Sequence, residues 1–167
     1  GNEPNIQDKI DGVPAVIMLH LDQLVANPAE KLNDYGVTGD QATALRVIRV
    51  HGVNASTSTN LGQAGAALAS ELANRGIDPI VVYGNEVNNL ETEWGTRSTL
   101  PGSADEVDRE LRQAARDYAA QFAQFAAPFQ GEGNGRVAIS ALDQIHPFYP
   151  WDRYVQELGG AYAQAEA

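Results

Sequence analysis

The sequence predicts an α/β fold in which parallel strands alternate with helices, and three observations carry that expectation. Strand-like and helix-like segments follow one another in the order βαβαβαβα along the 167 residues. The four strand-like segments are continuous apolar runs, the pattern of strands in a parallel sheet covered by helices. All three histidines of the chain fall just after such runs, at the edge where parallel α/β folds gather their functional groups.

Each element has its own justification. "VPAVIMLHL" (13–21) predicts a first strand over 14–19. "DQLVANPAEKLNDYG" (22–36) predicts a short or broken helix, because Pro28 fits only in a first turn. "ALRVIRV" (44–50) predicts a second strand, followed by the loop "HGVNASTST". In "NLGQAGAALASELANRG" (60–76), Leu61, Ala64, Leu68 and Leu72 recur at helical spacing, with Asn60 or Thr59 as the cap and Gly76 as a left-handed stop. "DPIVVYG" (78–84) predicts a third strand over 79–83.

The longest helix is expected over 103–129, opened by a Ser103–Glu106 capping box with acids in its first turn and ended by Pro128. A fourth strand is expected over 136–141, after the turn "QGEGNG". A weaker last helix over 151–167 is expected to be interrupted by Gly159 and Gly160. No linker or low-complexity segment divides the chain, so residues 1–167 read as a single α/β domain.

Composition narrows the partners. A net charge of −11 and a pI near 4.5 argue against nucleic acid and anionic membranes, which would repel the chain. No window approaches the roughly 18 apolar residues of a membrane span, so no membrane insertion is expected. Zero cysteines exclude disulfides, thiolate metal sites and cysteine nucleophiles. The start "GNEPNIQDKI" is polar and carries no leader-like apolar core. A processed secreted protein would look the same, and the absence of cysteine leans the expectation toward an extracellular or cell-surface setting.

The strand ends concentrate the candidate chemistry. The first delivers His20 and Asp22, the second His51 and Asn54, the third Asn85, Glu86, Asn88 and Asn89, the fourth Asp143 and His146. An acid just after a strand commonly caps the next helix. Here the next cap lies at Ser103, so 85–102 is a long loop around Glu86, and loops of that length tend to be functional. A carboxyl held beside an indole can act as a general acid near neutrality, and Trp94 is the available indole. Aromatic rings also suit the apolar faces of sugars, which makes Trp94 a substrate-binding candidate. A metal site through His20, His51 and His146 lacks paired ligand spacing, and neither "GNGR" nor "GQAG" fits a phosphate loop, so no metal or cofactor is expected.

The stretch "VVYGNEVNNLETEWG", the helical "ARDYAAQFAQFAAPF" and the following "RVAISALD" together resemble the acid/base region of retaining glycosidase barrels of the clan A type. In that family a strand ends in Asn-Glu, often as G-N-E-P-N, and an aromatic or E-W element follows. The resemblance implies a (β/α)8 TIM-type barrel acting on carbohydrate. It assigns Glu86 as the general acid/base that protonates the glycosidic oxygen and Asn85 as the partner of the sugar 2-hydroxyl. It also places His51 and Asn54 in the substrate cleft, and Asn88, Trp94, Asp143 and His146 join them by their positions after strands. The match covers roughly residues 44–145, and Val87 stands where the family usually has proline.

Length is the main departure. A full barrel needs about 250 residues and this chain has 167, so the expectation is a partial or half barrel. Retaining hydrolysis needs a second carboxylate about 5 Å from the first, and Glu91, Glu93 and Asp143 do not match the family's position for it. The expected alternatives are a piece of a longer enzyme, a half-barrel that associates with itself or with another half, or a non-catalytic carbohydrate-binding or surface assembly protein. "VIRVHGVNAST" also resembles the oxyanion-hole strand of α/β-hydrolases, but the chain has no G-x-S-x-G nucleophile elbow.

Overall fold

The computed structural model describes residues 15–52, 60–85, 87, 94, 104–132, 136–140 and 151–165. Within them lie four strands, β1 (Val16–His20), β2 (Val47–His51), β3 (Ile80–Tyr83) and β4 (Arg136–Ile139). Five helices alternate with them: α1 (Leu21–Ala26) and α2 (Pro28–Asp34) after β1, α3 (Leu61–Arg75) after β2, α4 (Ala104–Glu132) after β3, and α5 (Trp151–Ala165) after β4. A 3-10 turn, Gly39–Ala44, precedes β2. The strands form one sheet in the order β1-β2-β3-β4, and every neighbouring pair is parallel. The expected α/β class and parallel βα order are therefore present.

Register fixes which side chains share a face. Ile17, Ile48, Val81 and Val137 form one row across the sheet, and Leu19, Val50, Tyr83 and Ile139 form another. In β1, β2 and β3 the members of these rows are buried. They meet Leu68 and Leu72 of α3, Leu111, Tyr118 and Phe125 of α4, and Tyr154 and Leu158 of α5 in one core. The intervening residues point the other way, because successive strand side chains alternate. Val16, Met18 and Ile80 on that second face are exposed. Among the described residues the helices cover one face only, with α1 and α2 against α3, α3 against α4, and α4 against α5.

Local chemistry explains the helix boundaries. Asn27 separates α1 from α2, and its side chain accepts the Glu30 N–H at 3.1 Å while Pro28 takes the first turn. Asn60 caps α3 by accepting the Gln63 N–H at 3.0 Å. Gly76 ends α3 at φ +64, the left-handed stop that was expected. Arg75 then ties the layer together, donating to the carbonyls of Val37 and Ala29.

Two expected breaks do not occur. α4 continues through Pro128 to Glu132. Proline costs an interior helix about 3 kcal/mol, but Phe125 and Phe129 flank it, both buried and with rings 5.7 Å apart. Burying one such ring is worth about 1.5–3 kcal/mol, comparable to that cost. α5 runs unbroken through Gly159 and Gly160, where each glycine costs about 1 kcal/mol relative to alanine. Buried Tyr154 and Leu158 anchor α5, and Glu157 accepts from Arg112 at 3.2 Å and Arg116 at 2.6 Å of α4. The expected Ser103 cap lies outside the described residues.

One helix contact depends on a missing side chain. A Cβ on Gly65 of α3 would overlap the Phe125 carbonyl oxygen of α4, so the two backbones cross at a separation that only glycine permits.

Candidate functional site

The carboxyl ends of β1, β2 and β3 meet along one edge of the sheet. His20 and His51 are the last paired residues of β1 and β2, and their rings pack edge to face with centroids 4.8 Å apart. The His20 backbone N–H donates to Gln23 Oε1 at 2.9 Å, which holds the residue where strand becomes helix. Its ring Nδ1 lies 2.5 Å from Asp22 Oδ1. An ionised carboxylate only accepts, so Nδ1 carries the hydrogen.

The other edge of the imidazole rests on Gly52. That residue has φ +88, and a Cβ there would lie 2.5 Å from His20 Nε2. Two groups thus fix the ring, a carboxylate two residues on and a glycine at the end of the neighbouring strand. His51 is half-buried. Its pKa is lowered, first by loss of solvent around the ring and then by the adjacent His20, with Asp22 opposing.

Tyr35 closes the outer side. Its hydroxyl donates to the Met18 carbonyl at 2.9 Å. Met18, His20, Asp22, Gln23, Tyr35 and His51 line an open pocket of about 490 Å3. Sequence reasoning placed His20 and Asp22 at this edge without joining them. The signal was the H-x-D spacing across the strand–helix junction. Nothing local marks Tyr35, which enters through a contact 17 residues away in the chain.

The third strand leaves the sheet at the same edge. The Gly84 N–H donates to the Val50 carbonyl at 2.6 Å, extending the β2–β3 ladder by one residue. Gly84 then turns at φ +91, and a Cβ there would overlap the Val87 side chain and approach Tyr118 at 3.2 Å and Ser140 at 3.4 Å. Asn85 follows, half-buried. Tyr118 of α4 locks this exit from below, donating to the Tyr83 carbonyl at 2.5 Å and accepting the Ser140 N–H at 3.0 Å.

The structure therefore brings His51 and Asn85 to one edge, with His20 and Asp22 beside them. It does not leave Trp94 as an open platform. Trp94 is 5% exposed, and its indole N–H donates to the Val87 carbonyl at 2.7 Å. That bond ties Trp94 to Val87, because an indole needs a polar partner when buried. Glu86, Asn54, Asn88, Asp143 and His146 lie outside the described residues. Among the described residues, no group of three or more histidine and acidic side chains is placed to hold a metal ion, and no helix is long and apolar enough to cross a membrane.

Comparison with known proteins finds no match: no family model, no curated protein and no solved structure aligns with this chain.

Proposed function

We propose that this chain is a carbohydrate-active domain of the (β/α) barrel type, with Glu86 as the proton donor to a glycosidic oxygen and Asn85 holding the sugar beside it. One observation carries the reading. β3 ends in a positive-φ glycine that releases Asn85, the residue before Glu86, at the edge where His20 and His51 already line a pocket. A single helix layer over a parallel sheet in chain order also suits part of a barrel, whose uncovered face would be the interior.

In this reading the Glu86 carboxyl gives its proton to the departing oxygen as the C–O bond breaks. A second carboxylate, about 5 Å away for retention, attacks the anomeric carbon or activates water. Asp22 is ill suited to that role, since its Oδ1 is engaged by His20. The second acid then comes from self-association, from another half-barrel, or from Glu91, Glu93 or Asp143, which lie outside the described residues. If it is never supplied, the same edge binds carbohydrate without cleaving it, and the engagement of Asp22 favours that second reading.

The test compares wild type with Glu86→Gln on cello-, xylo- and manno-oligosaccharides, measuring turnover by reducing-end release and affinity by calorimetry. The enzyme reading expects turnover to fall about 10²–10⁴-fold with affinity kept. Binding without turnover in both proteins supports the non-catalytic reading. Failure of the wild type to bind any of these sugars overturns both.

A further inference from the structure

We infer that the pocket between Tyr35 and the paired imidazoles is a sugar subsite of its own, taking one neutral pyranose ring of the oligosaccharide on which Glu86 is proposed to act. The inference rests on the carbohydrate reading above, and adds to it a specific place and specific partners for a second ring.

The lining has the chemistry of a hydroxyl-rich ligand. Tyr35 is pinned by its hydroxyl to the Met18 carbonyl at 2.9 Å, so its ring is held before any ligand arrives. A fixed aromatic ring loses little entropy on binding. Met18, exposed on the uncovered sheet face, adds an apolar floor for the C–H face of a sugar.

Around that floor stand polar groups with bonding capacity left over. Asp22 uses Oδ1 on His20, leaving Oδ2 to accept from a hydroxyl. Gln23 uses Oε1 on the His20 backbone, leaving its NH2 to donate. The imidazole of His51 lines the same pocket beside them. Acceptor and donor groups thus stand beside an apolar base, which suits sugar hydroxyls, each of which donates and accepts.

Other ligand classes fit less well. An anion would face the Asp22 carboxylate on a chain of net charge −11. A metal ion lacks three converging ligands among the described residues. A purely apolar ligand would desolvate Asp22 and Gln23 without bonding them, which costs free energy. At about 490 Å3 the open pocket has room for one pyranose ring.

The experiment titrates cellotriose, xylotriose and mannotriose into wild type, Asp22→Asn, Tyr35→Ala, Tyr35→Phe and Glu86→Gln. Affinity is read by calorimetry, and the His20 and His51 ring-proton resonances by NMR. Asp22 is exposed, with 66% of its side chain accessible, so Asp22→Asn should fold, and thermal melts verify each variant.

The expected result has three parts. At least one trisaccharide shifts both histidine resonances. Asp22→Asn and Tyr35→Ala weaken its affinity about tenfold, and Tyr35→Phe, which keeps the ring, weakens it less than threefold. Glu86→Gln leaves it within threefold. If wild type cleaves oligosaccharides through Glu86 but Asp22→Asn and Tyr35→Ala bind as tightly as wild type, the subsite is wrong and the catalytic reading survives. If no protein shows turnover but the binding pattern holds, the subsite survives and the catalytic reading falls. Absence of any histidine shift at millimolar sugar overturns the subsite outright.

Discussion

Gly52 and Gly84 directly follow β2 and β3, each at positive φ with a neighbour in the space a Cβ would need. Both act by absence. Gly84→Ala should destabilise the fold by about 1–3 kcal/mol, the usual cost of a non-glycine residue in a sparsely populated backbone region, and a urea titration against wild type measures it. Gly52→Ala should in addition expel the His20 ring, seen as a change in the His20 ring-proton resonances when the contact with Asp22 is lost. His51 supplies the pH dependence. Its folded pKa lies below its ordinary value of 6.5, mainly through burial, so below that pH the unfolded chain binds more protons than the folded one. Its contribution is complete above about 6.5 and declines as pH falls beneath it. His51→Gln should flatten the drop in urea midpoint between pH 7 and pH 5. The places of His20, His51 and Asn85 at the strand ends were legible beforehand, because such residues after apolar runs are a local pattern. The burial of Trp94 was not, since its indole is satisfied by a carbonyl seven residues back, a bond that no periodicity announces.

At the scale of elements, the apolar pattern located the four strands and the α-helices among the described residues, but not the 3-10 turn Gly39–Ala44. The parallel order followed from the alternation of strands and helices. The misjudged points were breaks within helices. Local propensity says that Pro128 and Gly159–Gly160 should stop a helix, and tertiary packing of Phe129 and Leu158 overrides it. The glycines of α5 therefore carry an unrecovered cost. Both are exposed, with nothing within 4 Å of a new Cβ, so Gly159→Ala and Gly160→Ala should each stabilise the protein by about 0.5–1 kcal/mol, read as a rise in melting temperature. Gly65→Ala should do the opposite. The same substitution, favourable by propensity, forces α3 away from the Phe125 carbonyl of α4 and should lower the melting temperature. The contrast among three helical glycines separates propensity from packing within one molecule.

For the whole molecule, the sheet face left uncovered among the described residues and the two edge strands are the surfaces through which any self-association would run. Val16, Met18 and Ile80 leave apolar surface open, and such surface promotes pairing. The edges are not equivalent. Ala15 accepts from Val47, so by the alternation of a parallel ladder Val16, Met18 and His20 present their backbone groups outward. The Tyr35 hydroxyl occupies the Met18 carbonyl, and the Gln23 side chain occupies the His20 N–H. β1 is thus partly sealed against a further strand, a common protection of sheet edges. A partner that closes the sheet there must displace Tyr35. Tyr35→Phe removes a hydrogen bond worth about 0.5–1.5 kcal/mol, and should strengthen self-association about two- to tenfold in sedimentation equilibrium. An unchanged association constant would place any pairing on β4 instead.

The Tyr118 hydroxyl bears on the order in which this molecule assembles. It stands as a side-chain rung between the Tyr83 carbonyl and the Ser140 N–H. β4 is the least buried strand, with Ile139 half exposed, and its end is fastened to β3 through a residue of α4. β4 should therefore reach its register only after α4 has docked, and should open first when the native protein breathes. Native-state hydrogen exchange should show the amides of β4 exchanging ahead of those of β2, with Ser140 joining them in Tyr118→Phe and lagging behind them in wild type.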